Sequence, residues 1–248
     1  MSAIKDGYTL TGGPTGCLLI HGFTSTPAEL YPLGHWLHQQ GYRVHSPLLA
    51  GHGTRPQDLE GVQWQDWHDS VEEGLSVLKQ QCTRVVVIGH SLGGLLALQL
   101  SSKMQPHALV TLAAAVRPRN RVLPLAGILS RVKPYERWPE KARPAEAQQF
   151  LQGYERFPLT AAYQVHLLAK QVKKQLGNIQ CPTLIVHPRD DQSVDAASVT
   201  ILCRNLGTNA RHVYWMEDAG HNLTVDPRPA QKQKLFDRIT SFLHEYQL

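Results

Sequence analysis

Arg84-Val85-Val86-Val87-Ile88-Gly89-His90-Ser91-Leu92-Gly93-Gly94 is the stretch whose reading decides the fold. Val85 to Ile88 is an unbroken β-branched run. A strand covered on one face alternates apolar and polar residues, whereas a strand covered on both faces reads as continuously apolar. This run therefore predicts a central strand of a mostly parallel sheet. From Leu92 to Met104 the pattern changes to an apolar helix. Between the two lies Gly89-His90-Ser91-Leu92-Gly93, a G-x-S-x-G pentapeptide. The chain must swing from strand to helix within a few residues, and that leaves Ser91 at the tip in a strained backbone. Side chains two positions before or after the tip would crowd the turn, so glycine is needed at both. The helix start then aims free N–H groups at charge developing on a reacting oxygen. Ser91 is thus a candidate nucleophile. The bland alternative, an inert serine in a Gly-rich turn, does not account for the strand before it and the helix after it.

Working outward, strand-sized apolar runs alternate with helical patterns, the signature of an α/β fold with helices flanking the sheet. Cys17-Leu18-Leu19-Ile20, Arg43-Val44-His45-Ser46, Ala108 to Leu112, Pro182 to Val186 and Arg211 to Trp215 read as further strands. Thr26-Pro27-Ala28-Glu29 resembles a capping box opening a helix to about Gln40, with Gly41 as its stop. Trp64, Trp67, Val71, Leu75 and Leu78 share one face of a helix reaching about Gln81, and Asp226-Pro227 is expected to cap a last helix to about Tyr246. The alternation lapses between residues 116 and 176, where Pro118, Pro124, Pro134, Pro139, Pro144 and Pro158 fall. Leu159, Ala162, Val165, Leu168, Ala169 and Val172 still form a helical stripe there, so this is read as a small insertion and not a linker. The expected organisation is a core of residues 1–115 and 177–248 with a helical insertion at 116–176.

Length and composition set outer limits. The 248 residues suit one large domain, and 42% hydrophobic with 18% charged residues is ordinary for a globular enzyme. No basic-then-apolar leader opens the chain and no apolar run approaches the roughly 18 residues of a spanning helix, so a cytoplasmic location is the expectation. The four cysteines are widely spaced without a CxxC pair, each in or beside an apolar stretch, and read as buried free thiols. The 13 histidines include no HxxxH or HExxH spacing, so no metal site is expected. The formal charge of +5 comes without a Lys/Arg block interleaved with aromatics, so no nucleic-acid partner is expected.

A serine nucleophile needs a base, an acid to orient it, and two donors for the oxyanion. His221, in Asp218-Ala219-Gly220-His221 after the last strand, is the candidate base, because Gly220 permits a tight return loop. The acid is sought in Pro188-Arg189-Asp190-Asp191-Gln192-Ser193-Val194. Two adjacent aspartates compete, and the D-x-x-V spacing to Val194 favours Asp191. Asp190 is read as exposed or turn-holding, and Asp195 as a cap of the following helix. The oxyanion donors are assigned to the backbone N–H of Leu92 and of Phe23, which follows Leu19-Ile20-His21-Gly22. His21 is read as holding its own loop, and the Phe23 ring as a wall of the substrate pocket. No cofactor is implied, because proton transfer and preorganised donors suffice.

Together, Leu19-Ile20-His21-Gly22-Phe23-Thr24, Gly51-His52-Gly53, Trp64 with Asp66-Trp67, Gly89 to Gly94, Arg189 with Asp191, and Gly220-His221 resemble the bacterial carboxylesterase and monoacylglycerol-lipase-like branch of the α/β-hydrolases. The resemblance implies a serine hydrolase that cleaves short- to medium-chain acyl esters or monoacylglycerols through an acyl-enzyme on Ser91. It also implies a helical cap at the lapse already noted. The cap sequence itself matches no pattern that fixes substrate size.

Within that segment Arg117, Arg119, Arg121, Arg131, Lys133, Arg137, Lys141 and Arg143 outnumber Glu136 and Glu140. A solvated surface explains them; steering of an anionic substrate, or weak contact with a lipid surface, explains them too. Leu123, Leu125 and Ile128 are candidates for an acyl tunnel, and packing of the cap on the core accounts for them equally. Replacing Arg119 and Arg121 with Ala is expected to leave turnover of a small neutral ester nearly unchanged. The same three catalytic residues also suit amide, thioester, lactone or carbon–carbon hydrolysis, and a non-catalytic binding protein is the remaining alternative.

Overall fold

The computed structural model describes residues 2–139 and 145–248. The strands are β1 (Tyr8–Leu10), β2 (Thr15–Ile20), β3 (Arg43–Ser46), β4 (Arg84–His90), β5 (Ala108–Leu112), β6 (Tyr135–Arg137), β7 (Arg156–Pro158), β8 (Thr183–Pro188) and β9 (Arg211–Met216). The helices are α1 (Ser2–Lys5), α2 (Tyr31–Gln39), α3 (Trp64–Lys79), α4 (Leu92–Met104), α5 (Ala126–Leu129), α6 (Ala145–Gln148), α7 (Leu159–Gln175), α8 (Ala197–Asn205) and α9 (Pro229–Glu245). One sheet takes the order β1-β3-β2-β4-β5-β8-β9. Only β1 is antiparallel to its neighbour. The strand singled out by its β-branched run, β4, therefore lies at the centre.

Strand periodicity explains the two-sided core. Leu18, Ile20, Val85, Val87, Leu109 and Ile185 pack with α3, α4 and α7, whereas Cys17, Leu19, Val86, Ile88, Val110 and Val186 pack with α2 and α9. Each such side chain fully removed from water contributes about 1.5–3 kcal/mol. The helices cover both faces and leave the carboxyl ends of the parallel strands, with the loops that follow them, to build a site.

Two local expectations are corrected. Thr26 caps nothing with its side chain: Pro27–Leu30 forms a 3₁₀ turn, α2 begins only at Tyr31, and the Glu29 carboxylate is buried. The last helix starts at Pro229, because Asp226 bonds instead to the N–H and guanidinium of Arg228. β1 lies at the sheet edge, and its three residues, exposed only at Thr9, are too few for an alternation to register in the sequence. Gly41 does end α2, at φ 92°; the N-cap of α8 is Ala196, and Asp195, one residue earlier, accepts the Ala197 N–H at 2.8 Å.

Residues 116–176 hold more than helices. Tyr135–Arg137 and Arg156–Pro158 pair as a small antiparallel ladder; their short, mixed-polarity sequences give no strand signal. The stripe Leu159, Ala162, Val165, Leu168, Ala169 and Val172 is buried as read, and α7 packs on α4 and α3. Glu140, Lys141, Arg143 and Pro144 lie outside the described residues. All four cysteines are free, but only Cys17 and Cys181 are buried; Cys82 and Cys203 are half-buried, which corrects the expectation for those two. No helix among the described residues is long and apolar enough to cross a membrane.

Candidate active site

Ser91 stands between the end of β4 and the start of α4 with φ 53° and ψ −109°, a conformation that costs a non-glycine residue about 1–3 kcal/mol. Neighbouring backbone holds it there. The Ser91 N–H donates to the Leu112 carbonyl at 2.9 Å, and its own carbonyl accepts from Ala115 at 3.1 Å and Leu95 at 3.3 Å. The flanking glycines are required by proximity. A Cβ at Gly89 would lie 2.0 Å from the Gly93 carbonyl oxygen, and one at Gly93 would lie 2.0 Å from that of Ile20.

The loop after β8 separates the two aspartates. Asp190 is exposed, whereas Asp191 is 1% exposed. Asp191 Oδ1 accepts the N–H groups of Ser193 at 2.7 Å and Val194 at 3.0 Å, and Oδ2 accepts from His221 Nδ1 at 2.7 Å. The D-x-x-V spacing thus has a mechanical basis: the fourth residue supplies an N–H and buries its side chain. Burial alone would raise the Asp191 pKa, but these bonds and the adjacent imidazole bring it down to about 2. An ionised Asp191 holds the proton on Nδ1 of His221 and leaves Nε2 free to accept another.

Among the described residues no hydrogen bond joins the Ser91 hydroxyl to His221. Catalytic hydrogen bonds in unliganded sites are often long and tighten around substrate. The two residues are connected through His90, the neighbour of Ser91 in sequence. Its Nε2–H donates to the His221 carbonyl at 2.9 Å, and its ring centroid lies 4.8 Å from that of His221.

The loop after β2 is fixed by its histidine. His21 is fully buried, its Nε2 accepts the Leu49 N–H at 3.2 Å, and its Nδ1–H donates to the Gly22 carbonyl at 2.9 Å. Burial lowers its pKa to about 4, so it is neutral at pH 7. The Gly22 carbonyl also accepts the Ser25 N–H at 3.2 Å. Because N–H and C=O of a trans peptide point in opposite directions, holding this carbonyl turns the Phe23 N–H the other way. Neither that N–H nor the Leu92 N–H bonds to another described residue.

The Phe23 ring is the hub of an aromatic wall, with centroids 5.4 Å from Phe157, 6.0 Å from Trp67, 6.2 Å from His52 and 6.3 Å from Trp138. Leu123 packs into the cluster that touches Phe23. Leu125 and Ile128 lie outside that cluster and are 54% and 66% exposed. Sequence reasoning found Phe23 but missed Trp138 and Tyr154. Trp138 Nε1–H donates to Thr24 at 3.0 Å, and the Tyr154 hydroxyl accepts the Thr54 N–H at 2.9 Å and donates to the Gly51 carbonyl at 3.0 Å. Both tie segment 116–176 to loops of the core.

Arg119 is also corrected. Its Nε–H donates to the Asp191 carbonyl at 2.7 Å and its backbone N–H to that of Ser193 at 3.0 Å. Replacing Arg119 with Ala would therefore loosen the loop that carries Asp191, and unchanged turnover is expected only for the exposed Arg121.

Burial, and then the neighbouring His90, push the His221 pKa below its ordinary value, against the opposing pull of Asp191. If this imidazole is the base, activity is present where it is neutral and falls as pH drops through its pKa. The acid limb of kcat/KM is expected below the usual histidine value of about 6.5. A pH–rate profile on a neutral ester checks this, and a midpoint above that value contradicts it.

Residues 15–228 match the family model described as serine aminopeptidase, S33. The chain is 31% identical over 222 residues to a thermostable monoacylglycerol lipase of Bacillus sp. (strain H-257), covering 89% of this chain and 88% of that one. It is 28% identical over 220 residues to a carboxylesterase of Bacillus subtilis (strain 168), covering 88% and 89%. Among solved structures, one reported for the metagenome-derived lipolytic enzymes LipS and LipT superposes with a TM-score of 0.90 at 21% identity, over 98% of both chains. A monoacylglycerol lipase of Paleococcus ferrophilus superposes with a TM-score of 0.78 at 16% identity, over 97% of this chain and 99% of that one. The chain is a hydrolase of the α/β-hydrolase fold and belongs to the serine aminopeptidase S33 family.

Proposed function

We propose that this chain is a serine carboxylic ester hydrolase acting on short- to medium-chain acyl esters or monoacylglycerols. The observation that carries the reading is the buried Asp191–His221 bond beside a strained Ser91. Ser91 Oγ attacks the ester carbonyl carbon while His221 Nε2 takes its proton. The N–H groups of Phe23 and Leu92 hold the resulting oxyanion. As the tetrahedral species collapses, the C–O bond to the alcohol breaks and His221 returns the proton to the leaving oxygen. Water then attacks the acyl-Ser91, His221 again acting as base, and the carboxylic acid departs.

The aromatic wall around Phe23 supports an apolar acyl group as the bound portion, and two curated relatives carry the names carboxylesterase and monoacylglycerol lipase. Residues 116–176 serve as the cap over a core of residues 1–115 and 177–248. In the cap, Val122, Leu125, Ile128 and Val132 are exposed beside Arg121, Arg131 and Lys133, which supports weak contact with an anionic lipid surface. A second reading, the same residues acting on an amide, has one observation in its favour: the matching family is described as aminopeptidases.

A substrate panel tests these readings. p-Nitrophenyl esters of rising acyl length and monoacylglycerols are compared with aminoacyl anilides, with and without vesicles of anionic lipid. Turnover of the esters far above the anilides is expected, with monoacylglycerol turnover raised by the vesicles. Anilides turned over faster than every ester would replace the first reading with the second.

A further inference from the structure

Glu29 and His90 are both buried, with side chains 4% and 2% exposed, and Glu29 Oε1 lies 3.1 Å from His90 Nδ1. A buried carboxylate facing a buried imidazole costs desolvation on both sides and persists only where each has partners. Both do. Glu29 Oε2 accepts the Gly22 N–H at 2.8 Å, and the Glu29 carbonyl accepts the Thr224 hydroxyl at 2.7 Å. His90 presents Nδ1 to the carboxylate and Nε2 to the His221 carbonyl at 2.9 Å. Both ring nitrogens thus lie close to an oxygen, Nε2 in a hydrogen bond and Nδ1 at ion-pair distance without an aligned hydrogen bond, a setting that favours an imidazolium.

These contacts join three separate parts of the site. Gly22 precedes the Phe23 N–H, His90 precedes Ser91, and Thr224 lies just beyond His221. The pair also packs tightly against the first of these: a Cβ at Gly22 would lie 3.2 Å from His90 Nδ1 and 3.3 Å from Glu29 Oε2. Other titratable groups facing His90 are His221, Asp191 and His21. Burial opposes ionisation of both partners, yet their mutual attraction holds Glu29 down to about 2 and raises His90 above its ordinary value.

We propose that the Glu29–His90 pair is a positioning element that locks the oxyanion loop, the nucleophile turn and the histidine loop into one unit with the registration acyl transfer needs. This rests on the triad reading above. The pair touches no reacting atom; it acts through Gly22, Ser91 and His221.

The test uses p-nitrophenyl butyrate and three variants. Glu29→Ala removes the bridge and is expected to lower kcat about 100-fold, the scale of a misplacement near 1 Å, with KM changed little. Glu29→Gln keeps the shape and can accept from Gly22 while donating to a neutral His90, so it is expected to restore most of that loss. It also removes the charge that favours the protonated form of His90. His221 then loses a cationic neighbour whose influence exceeds that of Glu29, and the acid limb of kcat/KM moves to higher pH. Thr224→Val, nearly isosteric, deletes one strap and is expected to cost roughly fivefold in kcat, about one hydrogen bond; it serves where Glu29→Ala does not fold. Wild-type kcat in folded Glu29→Ala, or in Thr224→Val where Glu29→Ala does not fold, overturns the proposal. So does Glu29→Gln as impaired as Glu29→Ala, or an acid limb that stays in place. If Ser91→Ala retains turnover, the triad reading itself has failed; if it is inactive while the Glu29 variants behave as wild type, only this inference has.

Discussion

Ser91→Ala is expected to reduce kcat on p-nitrophenyl butyrate by about a millionfold, the size of loss seen when the nucleophile of an intact serine triad is removed. The deleted oxygen is the atom that would bond the acyl carbon, and no neighbouring group replaces it. Some acceleration over water survives, because the N–H groups of Phe23 and Leu92 and the aromatic wall remain. Folding is expected to change by less than about 1 kcal/mol: the Ser91 hydroxyl is not hydrogen-bonded to another described residue, and alanine meets the same strain at φ 53°. Labelling by a fluorophosphonate should disappear in the same variant. A folded Ser91→Ala enzyme that keeps even about a hundredth of the turnover would falsify the nucleophile assignment.

Gly93→Ala is expected to be more damaging to the molecule than any change at the three polar residues. The added Cβ meets the carbonyl oxygen of Ile20 at 2.0 Å, its carbonyl carbon at 2.5 Å and the carbonyl oxygen of His21 at 2.7 Å. All three are backbone atoms at the end of β2. They cannot yield without breaking the ladder in which Ile20 pairs with Gly89, and that ladder sits at the centre of the sheet. A loss above about 4 kcal/mol follows, a large part of a domain's stability, so the variant should be recovered poorly and melt far below wild type. Gly177→Ala is the matched control. Its Cβ would meet nothing nearer than the Asn205 carbonyl oxygen at 3.9 Å, so its melting temperature should stay close to wild type. A Gly93→Ala protein melting within a few degrees of wild type would refute the close approach of turn and strand on which the site is built.

The sequence-legible features are those whose cause is local. The run Val85 to Ile88 reports burial on both faces, because period-2 side chains of a covered strand have no solvent side to make polar. The glycines around Ser91 report a turn too tight for side chains, and the Asp191–Val194 spacing reports an N–H bonding back to a carboxylate three residues earlier. Chain order singled out, from 13 histidines, the one that bonds Asp191.

What only the tertiary structure decided lies in contacts between distant segments. Glu29 reads locally as a capping residue, yet it is buried against His90. Arg119 reads as one of many surface cations, yet it holds the Asp191 carbonyl from 72 residues away. Trp138 and Tyr154 carry no local signal, yet they close against the core loops. A residue's periodicity tells which side of its own element is covered, because that depends on its neighbours in sequence. Which side chain covers it depends on how whole layers pack, and no short stretch of the chain carries that information.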